Sequence, residues 1–178
     1  MKLHLGCWHR YIPGYIHVDL CDLDHIDYNS DIGDLRFIND GRVDYIYCSH
    51  ALEYKDYIDA ELVLKEWYRV MKVGATIRVA VPDFEQLIKV YQITNDINKI
   101  IGPLYGKMDL NTNKIYHKCV YDFEKLTTIF KKAGFKNIKR FSWEDTEHSK
   151  IDDHSQAYFP HMDKKNGILI SLNLEAKK

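Results

Sequence analysis

The sequence predicts a single α/β domain with a mostly parallel sheet and an antiparallel edge strand. Short apolar runs typical of strands alternate with amphipathic helical stretches over most of the 178 residues. The last two strand-like runs are joined by an irregular polar segment instead of a helix, which is typical of an antiparallel pair at one side of such a sheet. We therefore expect one domain over residues 1–178.

The strand predictions depend on runs of β-branched and aromatic residues. The clearest is VDYIYCS at residues 43–49, which has the composition of a buried strand. A second run, ATIRVAV, is cut by Pro82, which cannot donate to a strand ladder. Strands are predicted at residues 2–5, 15–20, 26–32, 43–49, 75–81, 135–141 and 168–174.

Helices are predicted between these strands. The stretch 56–71 has an apolar stripe at helical spacing, with Asp56 able to cap its start and Gly74 just past its end. The stripe consists of Ala60, Leu64, Trp67 and Met71. Further helices are expected at residues 83–93 and 122–133. The polar, Gly- and Pro-bearing stretch at about 94–116 is interpreted as an insertion or lid.

The first connections are too short for the helices that normally join parallel strands. Only nine residues, 6–14, separate the first two strands, whereas such crossovers usually need a dozen or more. We expect this half of the sheet, carrying Ile16, Val18 and Ile26, to expose an apolar face. Either a second copy of the chain or the segment 145–167 would have to cover it, and the sequence analysis predicts a homodimer.

Composition excludes several classes of partner and compartment. The net charge of -1 argues against a nucleic-acid binder. No apolar run is long enough to span a bilayer, and no signal peptide is recognisable. The four cysteines have no CxxC spacing, so we expect reduced thiols and a cytoplasmic location.

The segment LHLGCWHRYIPGYIHVDL at residues 3–20 carries the most specific signal. An apolar strand breaks at Gly6, which allows close approach to the backbone, and the next strand ends on Asp19. A carboxylate at that position can accept hydrogen bonds from the two hydroxyls of a ribose. The alternative is a tight turn followed by an aspartate that has no ligand.

Several sequence blocks in order resemble one family. They include LHLGCW, IPGYIHVDL, DYIYCSHALEY, LKEWYRVMKVGATIRVAVPDF, IYHKCVYDFEKL and DDHSQAYFPHMD. Together they resemble the class I S-adenosylmethionine-dependent methyltransferases, in a compact bacterial branch related to the type 11 methyltransferases. The resemblance implies a reduced Rossmann-like three-layer sandwich and S-adenosyl-L-methionine as the cofactor. Members of this branch often accompany genes for surface polysaccharide.

The resemblance also implies a set of cofactor-binding residues. Gly6 and Cys7 correspond to the loop at the methionine part of the cofactor, and Asp19 corresponds to the acidic residue that holds the ribose. The remaining positions are Asp31 for the adenine amino group with the Ile32 amide beside it, and Ser49 and His50 flanking cofactor and substrate. Alternatively, Asp31 is a turn or cap residue and the Ser49 hydroxyl is satisfied by backbone.

Trp8 departs from the family pattern, which has glycine at this third position of the loop. The indole either fills the methionine site and leaves a relic without cofactor, or it swings out and stacks near the sulfonium. In the second case an aromatic face stabilises the positive charge by ~0.5–2 kcal/mol. We therefore include Trp8 among the cofactor-binding residues.

The catalytic predictions concern histidines, because neutral imidazole can take a proton from an acceptor hydroxyl. His50 and His117 are the chosen candidates, with His154 and His161 as further possibilities. Asp152, Asp153 and His154 match no standard metal-site spacing, so no metal is predicted.

The function predicted from the sequence is methyl transfer to a small-molecule or glycan-linked acceptor, in surface polysaccharide biosynthesis. The alternative is a degenerate methyltransferase fold that binds a ligand or partner and catalyses nothing. A dinucleotide or nucleotide-sugar enzyme is disfavoured because no GxGxxG motif follows the first strand.

Overall fold

The structure is a computed structural model that describes residues 1–110 and 113–178. Its main sheet contains β1 (Lys2–Leu5), β2 (Ile16–Asp19), β3 (Tyr28–Asn29), β4 (Val43–Ser49), β5 (Met71–Pro82), β8 (Lys136–Arg140) and β11 (Ser171–Lys177). Two short two-stranded sheets contain β6 (Met108–Leu110) with β7 (Asn113–Ile115), and β9 (Tyr158–Phe159) with β10 (Ile168–Leu169). The α-helices are α1 (Asp59–Val70), α2 (Phe84–Thr94), α3 (Ile101–Tyr105) and α4 (Phe123–Lys132). Short 3₁₀ helices lie at Leu52–Tyr54, Ile97–Lys99, Trp143–Asp145 and His154–Gln156.

The main sheet has the strand order β3-β2-β1-β4-β5-β11-β8. The first five strands in that order are parallel, and β11 runs antiparallel to both β5 and β8. The edge strand β8 is therefore antiparallel to its neighbour. This confirms the predicted α/β class with a mostly parallel sheet.

Several element boundaries differ from the sequence prediction. The helix predicted at 56–71 spans Asp59–Val70, and the strand predicted at 168–174 is divided between β10 and the longer β11. The third strand is only Tyr28–Asn29, because the chain after it folds over the sheet and buries Leu35 and Ile38. Strand β5 begins at Met71, directly after α1, so Gly74 lies inside a strand and does not cap the helix. A register irregularity in the pairing of β5 with β4 accommodates the early start.

One face of the sheet carries the main apolar core under α1 and α4. Trp67 of α1 is fully buried, and its Nε1 donates to the Ile32 carbonyl at 2.7 Å. Val18, expected to lie on an exposed face, is instead fully buried in the cluster that includes Leu35 and Ile38. That expectation was wrong because the segment after β3 replaces the missing crossover helix as a cover.

The opposite face carries polar and aromatic side chains and is covered by the segment 143–157. The buried Tyr47 hydroxyl donates to Asp153 at 2.6 Å, and its ring lies 4.3 Å from that of His148. Asn173 of β11 donates to the Ser155 carbonyl at 2.9 Å. Part of the predicted 145–167 cover therefore lies over the sheet, held by hydrogen bonds.

The predicted insertion at 94–116 contains a 3₁₀ helix, α3 and the β6–β7 pair. Ile100 anchors it by packing with Leu87 and Val90 of α2. Residues 111 and 112 of this predicted lid lie outside the described residues. Among the residues that the structure describes, no helix is long and apolar enough to cross a membrane.

Candidate active site

Three cavities lie at the edge of the sheet where the parallel strands β1, β2 and β4 end. His50 and Met108 line all three of them. The Asp19 cavity has a volume of about 250 Å³ and is lined by residues that include Gly6, Asp19, Asp31, Ile32, Tyr54 and Lys55. The Trp8 cavity is about 30 Å³ and is lined partly by Cys7, Trp8, Ser49 and His154. The His117 cavity is about 260 Å³ and is lined partly by Tyr54, Pro103, Gly106, Lys107, His117 and His154. His50 lines each of the three.

Gly6 shapes the turn after β1. Its φ of +64° lies in the left-handed region, and a Cβ at this position would come within 2.3 Å of the Ala51 Cβ. Its N–H still donates to the Val18 carbonyl at 2.9 Å. Only glycine lets the turn after β1 pack this closely against the turn after β4.

Asp19 is held rigidly at the end of β2. Its Oδ2 accepts from the Trp8 N–H and its Oδ1 from the Cys21 N–H, both at 2.8 Å. The residue is 7% exposed and borders the cavity. Each carboxylate oxygen has further acceptor capacity, which suits it to a pair of vicinal hydroxyls.

Asp31 and Ile32 lie across the same cavity. The Asp31 Oδ1 accepts from the Gly33 N–H at 2.8 Å, so Asp31 is a turn residue as well as a cavity residue. Its Oδ2 pairs with Lys55, a lysine that the sequence analysis did not select. Lys55 is 24 positions away in the chain, so no local motif indicated the pairing.

Trp8 lines the small cavity and is absent from the lining of the Asp19 cavity. Its backbone has a φ of +43°, and its indole packs on the His9 ring at 4.4 Å between centroids. The Arg10 guanidinium lies 5.8 Å from the centre of the indole. The indole therefore borders the Trp8 cavity and lies outside the lining of the Asp19 cavity.

Cys7 and Ser49 also border the Trp8 cavity. Burial raises the pKa of the Cys7 thiol to about 12, so the thiol is protonated at neutral pH. The Ser49 hydroxyl is buried and has no hydrogen-bond partner within residues 1–110 and 113–178. An unpartnered buried hydroxyl is costly and is suited to bind a polar ligand atom.

His50 occupies a strained turn at the end of β4. Its φ is +55°, and its N–H donates to the Ala80 carbonyl at 2.8 Å. The ring Nε2 lies 2.9 Å from the Ser171 Oγ. Burial lowers the pKa of this imidazole well below its usual value, so it is neutral at pH 7.

His117 comes close to His50 through Glu53. The Glu53 Oε1 lies 3.4 Å from the His50 Nδ1 and 3.7 Å from the His117 Nε2. Burial lowers the pKa of His117 as well. The structure therefore brings together both predicted catalytic histidines, with a carboxyl group between them that the sequence analysis missed.

Glu53 could have been found from the sequence. It stands three residues after His50 in SHALEY, a spacing that places two side chains on the same side of one helical turn. Among the further histidines, His154 lies 5.2 Å from His50 between ring centroids, whereas His161 lines none of the three cavities. Within the part of the chain that is described, no group of three His, Cys, Asp or Glu residues has a metal-binding arrangement.

Solved structures similar to this chain include S-adenosylmethionine-dependent methyltransferases. One from Archaeoglobus fulgidus aligns with a TM-score of 0.61 at 20% identity, over 99% of this chain and 85% of that one. One from Thermotoga maritima, described as a possible histamine N-methyltransferase, aligns at 0.57 and 16% identity, over 99% and 81%. A third, from Mesorhizobium loti, aligns at 0.56 and 13% identity, over 99% and 90%. These likenesses show the fold.

A family model identifies the family. The model of the ubiE/COQ5 methyltransferase family matches residues 19–146, which include the ends of β2 and β4 and both candidate histidines. No curated protein sequence matches the chain. The chain belongs to the ubiE/COQ5 methyltransferase family and is a class I S-adenosylmethionine-dependent methyltransferase.

Proposed function

We propose that this methyltransferase binds its cofactor in the Asp19 cavity and methylates a small-molecule or glycan-linked acceptor in the His117 cavity. The observation that carries this proposal is the position of His50, which lines both cavities. A methyl group that leaves one cavity for the other therefore passes this side chain. From the sequence resemblance, the proposal also includes a cytoplasmic location and precursors of surface polysaccharide as the acceptors.

The residues of the Asp19 cavity fit the cofactor. The Asp19 carboxylate is fixed by two backbone N–H groups and can accept from the ribose hydroxyls. Gly6 lines the Asp19 cavity, and the unpartnered Ser49 hydroxyl lies close to Gly6 in the lining of the Trp8 cavity. We assign Asp31 and the Ile32 amide to the adenine end, where Lys55 has to share Asp31 with the base.

The cofactor supplies a methyl group that is already activated on a sulfonium. The chain then has to hold the acceptor in line and to take its proton. His50 and His117 are suited to the second task because burial keeps both imidazoles neutral at pH 7. Tyr54 and Lys107 add a phenol and a cation to the wall around a polar acceptor.

The test is turnover by the His50→Ala variant. Candidate acceptors, including nucleotide sugars and small phenols, are screened with the wild type by measuring release of S-adenosylhomocysteine. With an acceptor in hand, we expect His50→Ala to lower kcat by ~10²–10⁴-fold while the Kd for S-adenosylhomocysteine stays near that of the wild type. The matched control is His161→Ala, at an exposed position outside the cavities. Full activity of His50→Ala would contradict the proposed role.

A non-catalytic binding protein is the second candidate, favoured by Trp8 at the glycine position and by the pairing of Lys55 with Asp31. Trp8→Gly separates the two. For an enzyme whose indole borders the sulfonium, the substitution weakens S-adenosylmethionine binding by ~0.5–2 kcal/mol. For a relic with a blocked site, only the Trp8→Gly variant binds the cofactor.

A further inference from the structure

Glu53 has a fully buried carboxyl group and lies beside the proposed acceptor site. The proposed methyl transfer described above assigns no role to this carboxyl group. Neither of its oxygens has a hydrogen-bond partner among the described residues. Its backbone carbonyl accepts from the N–H groups of Lys118 and Cys119, at 2.8 and 3.2 Å, which fixes the 3₁₀ helix against the segment of His117. The carboxyl position is therefore set by the fold.

Hydrogen bonding determines which nitrogen of His50 carries the proton. The Asn173 Nδ2 donates to the Ser155 carbonyl, so its Oδ1 accepts the Ser171 hydroxyl proton at 2.9 Å. The Ser171 Oγ then has to accept from the His50 Nε2. Neutral His50 is consequently protonated on Nε2, and its Nδ1 presents a lone pair to Glu53.

The same reasoning applies to His117 with the nitrogens exchanged. Its Nδ1 lies 3.0 Å from the Pro103 carbonyl, which can only accept, so Nδ1 carries the proton. Nε2 presents a lone pair and lies next to Gly106, where a Cβ would come within 2.1 Å of it. Gly106 thus leaves this nitrogen room at the wall of the His117 cavity.

Two imidazole nitrogens that carry lone pairs therefore lie within 4 Å of one carboxyl oxygen. A carboxylate there would be repelled by both, whereas a protonated carboxyl can donate to either. Burial acts in the same direction and raises the pKa of Glu53 to about 8. In the described part of the chain, these two imidazoles are the only basic groups within 4 Å of the Glu53 oxygens.

The other groups around this cluster do not supply a compensating charge. His154 stacks beyond His50, and the Tyr54 ring packs on His117 at 4.7 Å between centroids. The Cys48 thiol and the Tyr121 phenol lie nearby, and burial raises the pKa of both, so they are neutral at pH 7. Besides the ring protons on the His50 Nε2 and the His117 Nδ1, these residues thus hold one further proton. The Glu53 carboxylate, the His50 Nδ1 and the His117 Nε2 can share it.

We propose that Glu53 is a positioning residue that holds this shared proton and makes His117 the base for the acceptor, an inference that depends on the proposed function. As the acceptor oxygen forms its bond to the methyl carbon, the carbon–sulfur bond breaks and its electron pair stays on sulfur. The acceptor O–H bond breaks, and its proton moves to the His117 Nε2. The Glu53 proton moves to the His50 Nδ1, so that the new imidazolium of His117 faces a carboxylate.

The test is ¹⁵N NMR of the histidine rings in the wild-type protein, without acceptor, from pH 6 to pH 9.5. We expect His50 as the Nε2–H tautomer and His117 as the Nδ1–H tautomer at pH 7. We also expect the ring signals of both to change together with a midpoint at about pH 8, as Glu53 loses its proton. The opposite tautomers at pH 7, or signals that stay constant through pH 8, would overturn the proposal.

Glu53→Gln is the diagnostic variant, because glutamine keeps the size and a donor but cannot ionise. The transition at about pH 8 should disappear in Glu53→Gln and persist in Glu147→Gln, which replaces a carboxyl group outside the three cavities by the same amide. With any acceptor that the wild type methylates, we expect Glu53→Gln to lower kcat about tenfold or more, without a change in the Kd for S-adenosylhomocysteine.

The two proposals fail separately. A transition that persists in Glu53→Gln would overturn the assignment to Glu53 and leave methyl transfer intact. Failure of the proposed function is measured by turnover in the wild type, whereas the tautomers are measured with no substrate present.

Discussion

At the scale of single residues, the site depends on backbone conformations that most side chains avoid. Gly6, Trp8 and His50 all have positive φ, and all three lie where the strands β1 and β4 end. For a residue other than glycine the left-handed conformation costs roughly 1–2 kcal/mol. Trp8 and His50 line these cavities, and backbone strain is common at functional sites.

Gly6→Ala tests whether this close turn is required. The added methyl group would meet the Ala51 Cβ at 2.3 Å in a left-handed conformation, so we expect a loss of about 2–5 kcal/mol in the free energy of unfolding. The control is Gly74→Ala, where φ is +81° but nothing lies within 4 Å. Chemical unfolding should show a clearly larger loss for Gly6→Ala. Equal losses would mean that contact with Ala51 does not limit this position.

The positions selected from the sequence lie together in the fold, whereas some of their contact partners were not selected. The selected positions all line one of the three cavities, because strand ends and the turns after them can be recognised locally. Lys55 was missed because its contact with Asp31 depends on how the turn after β4 packs on a distant segment. Glu53 was missed although its spacing from His50 is local. The distance between His50 and His117 is likewise set by the tertiary fold.

At the scale of elements, the segment 143–157 takes the place of a helix on one face of the sheet. His148 of this segment and His4 of β1 both pack against the Tyr47 ring, and both are at most 5% exposed. The sequence predicted that short connections leave a sheet face to be covered. The sequence pattern does not show that hydrogen bonds from polar side chains hold the covering segment in place. The bond between Tyr47 and Asp153, for example, joins residues more than a hundred positions apart.

Acidification should destabilise this polar layer. Burial lowers the pKa of His4 well below 6.5, so the unfolded chain binds a proton there before the folded one does. Stability should therefore fall as the pH decreases below 6.5, by up to about 1.4 kcal/mol per pH unit for His4. Urea unfolding at pH 7.5 and 5.5 measures this, with His4→Gln expected to reduce the difference. An unchanged difference in His4→Gln, relative to the exposed control His161→Gln, would contradict the assignment.

At the scale of the whole molecule, the burial of Val18 bears on assembly. A homodimer was predicted to cover an exposed apolar face. In the structure, the chain after β3 covers Val18 and the segment 143–157 covers the opposite face of the sheet. We therefore expect light scattering at micromolar concentration to give the mass of one chain, 21.1 kDa. A mass of two chains would support the homodimer instead.

The overall architecture was the most predictable feature of the chain. The alternation of β4, α1 and β5 is recorded in apolar periodicity, and family blocks follow in the same order. The short β3 was overestimated because the chain leaves the sheet at Ser30 to cover it, which local propensity does not indicate. The fold thus follows from the sequence pattern, and the arrangement of the site follows from the fold.

The most direct test of the account is calorimetric titration of S-adenosylhomocysteine into the wild type and into Asp19→Ala. We predict that the wild type binds and that Asp19→Ala binds more weakly by about 1–3 kcal/mol, because a buried pair of ribose hydroxyls loses its acceptor. Asp19 also accepts from two backbone N–H groups, so thermal unfolding of Asp19→Ala checks that the variant is still folded. Asp22→Ala, at an exposed position, controls for the loss of one negative charge. A wild type that does not bind, or a folded Asp19→Ala variant with unchanged affinity, would contradict the account.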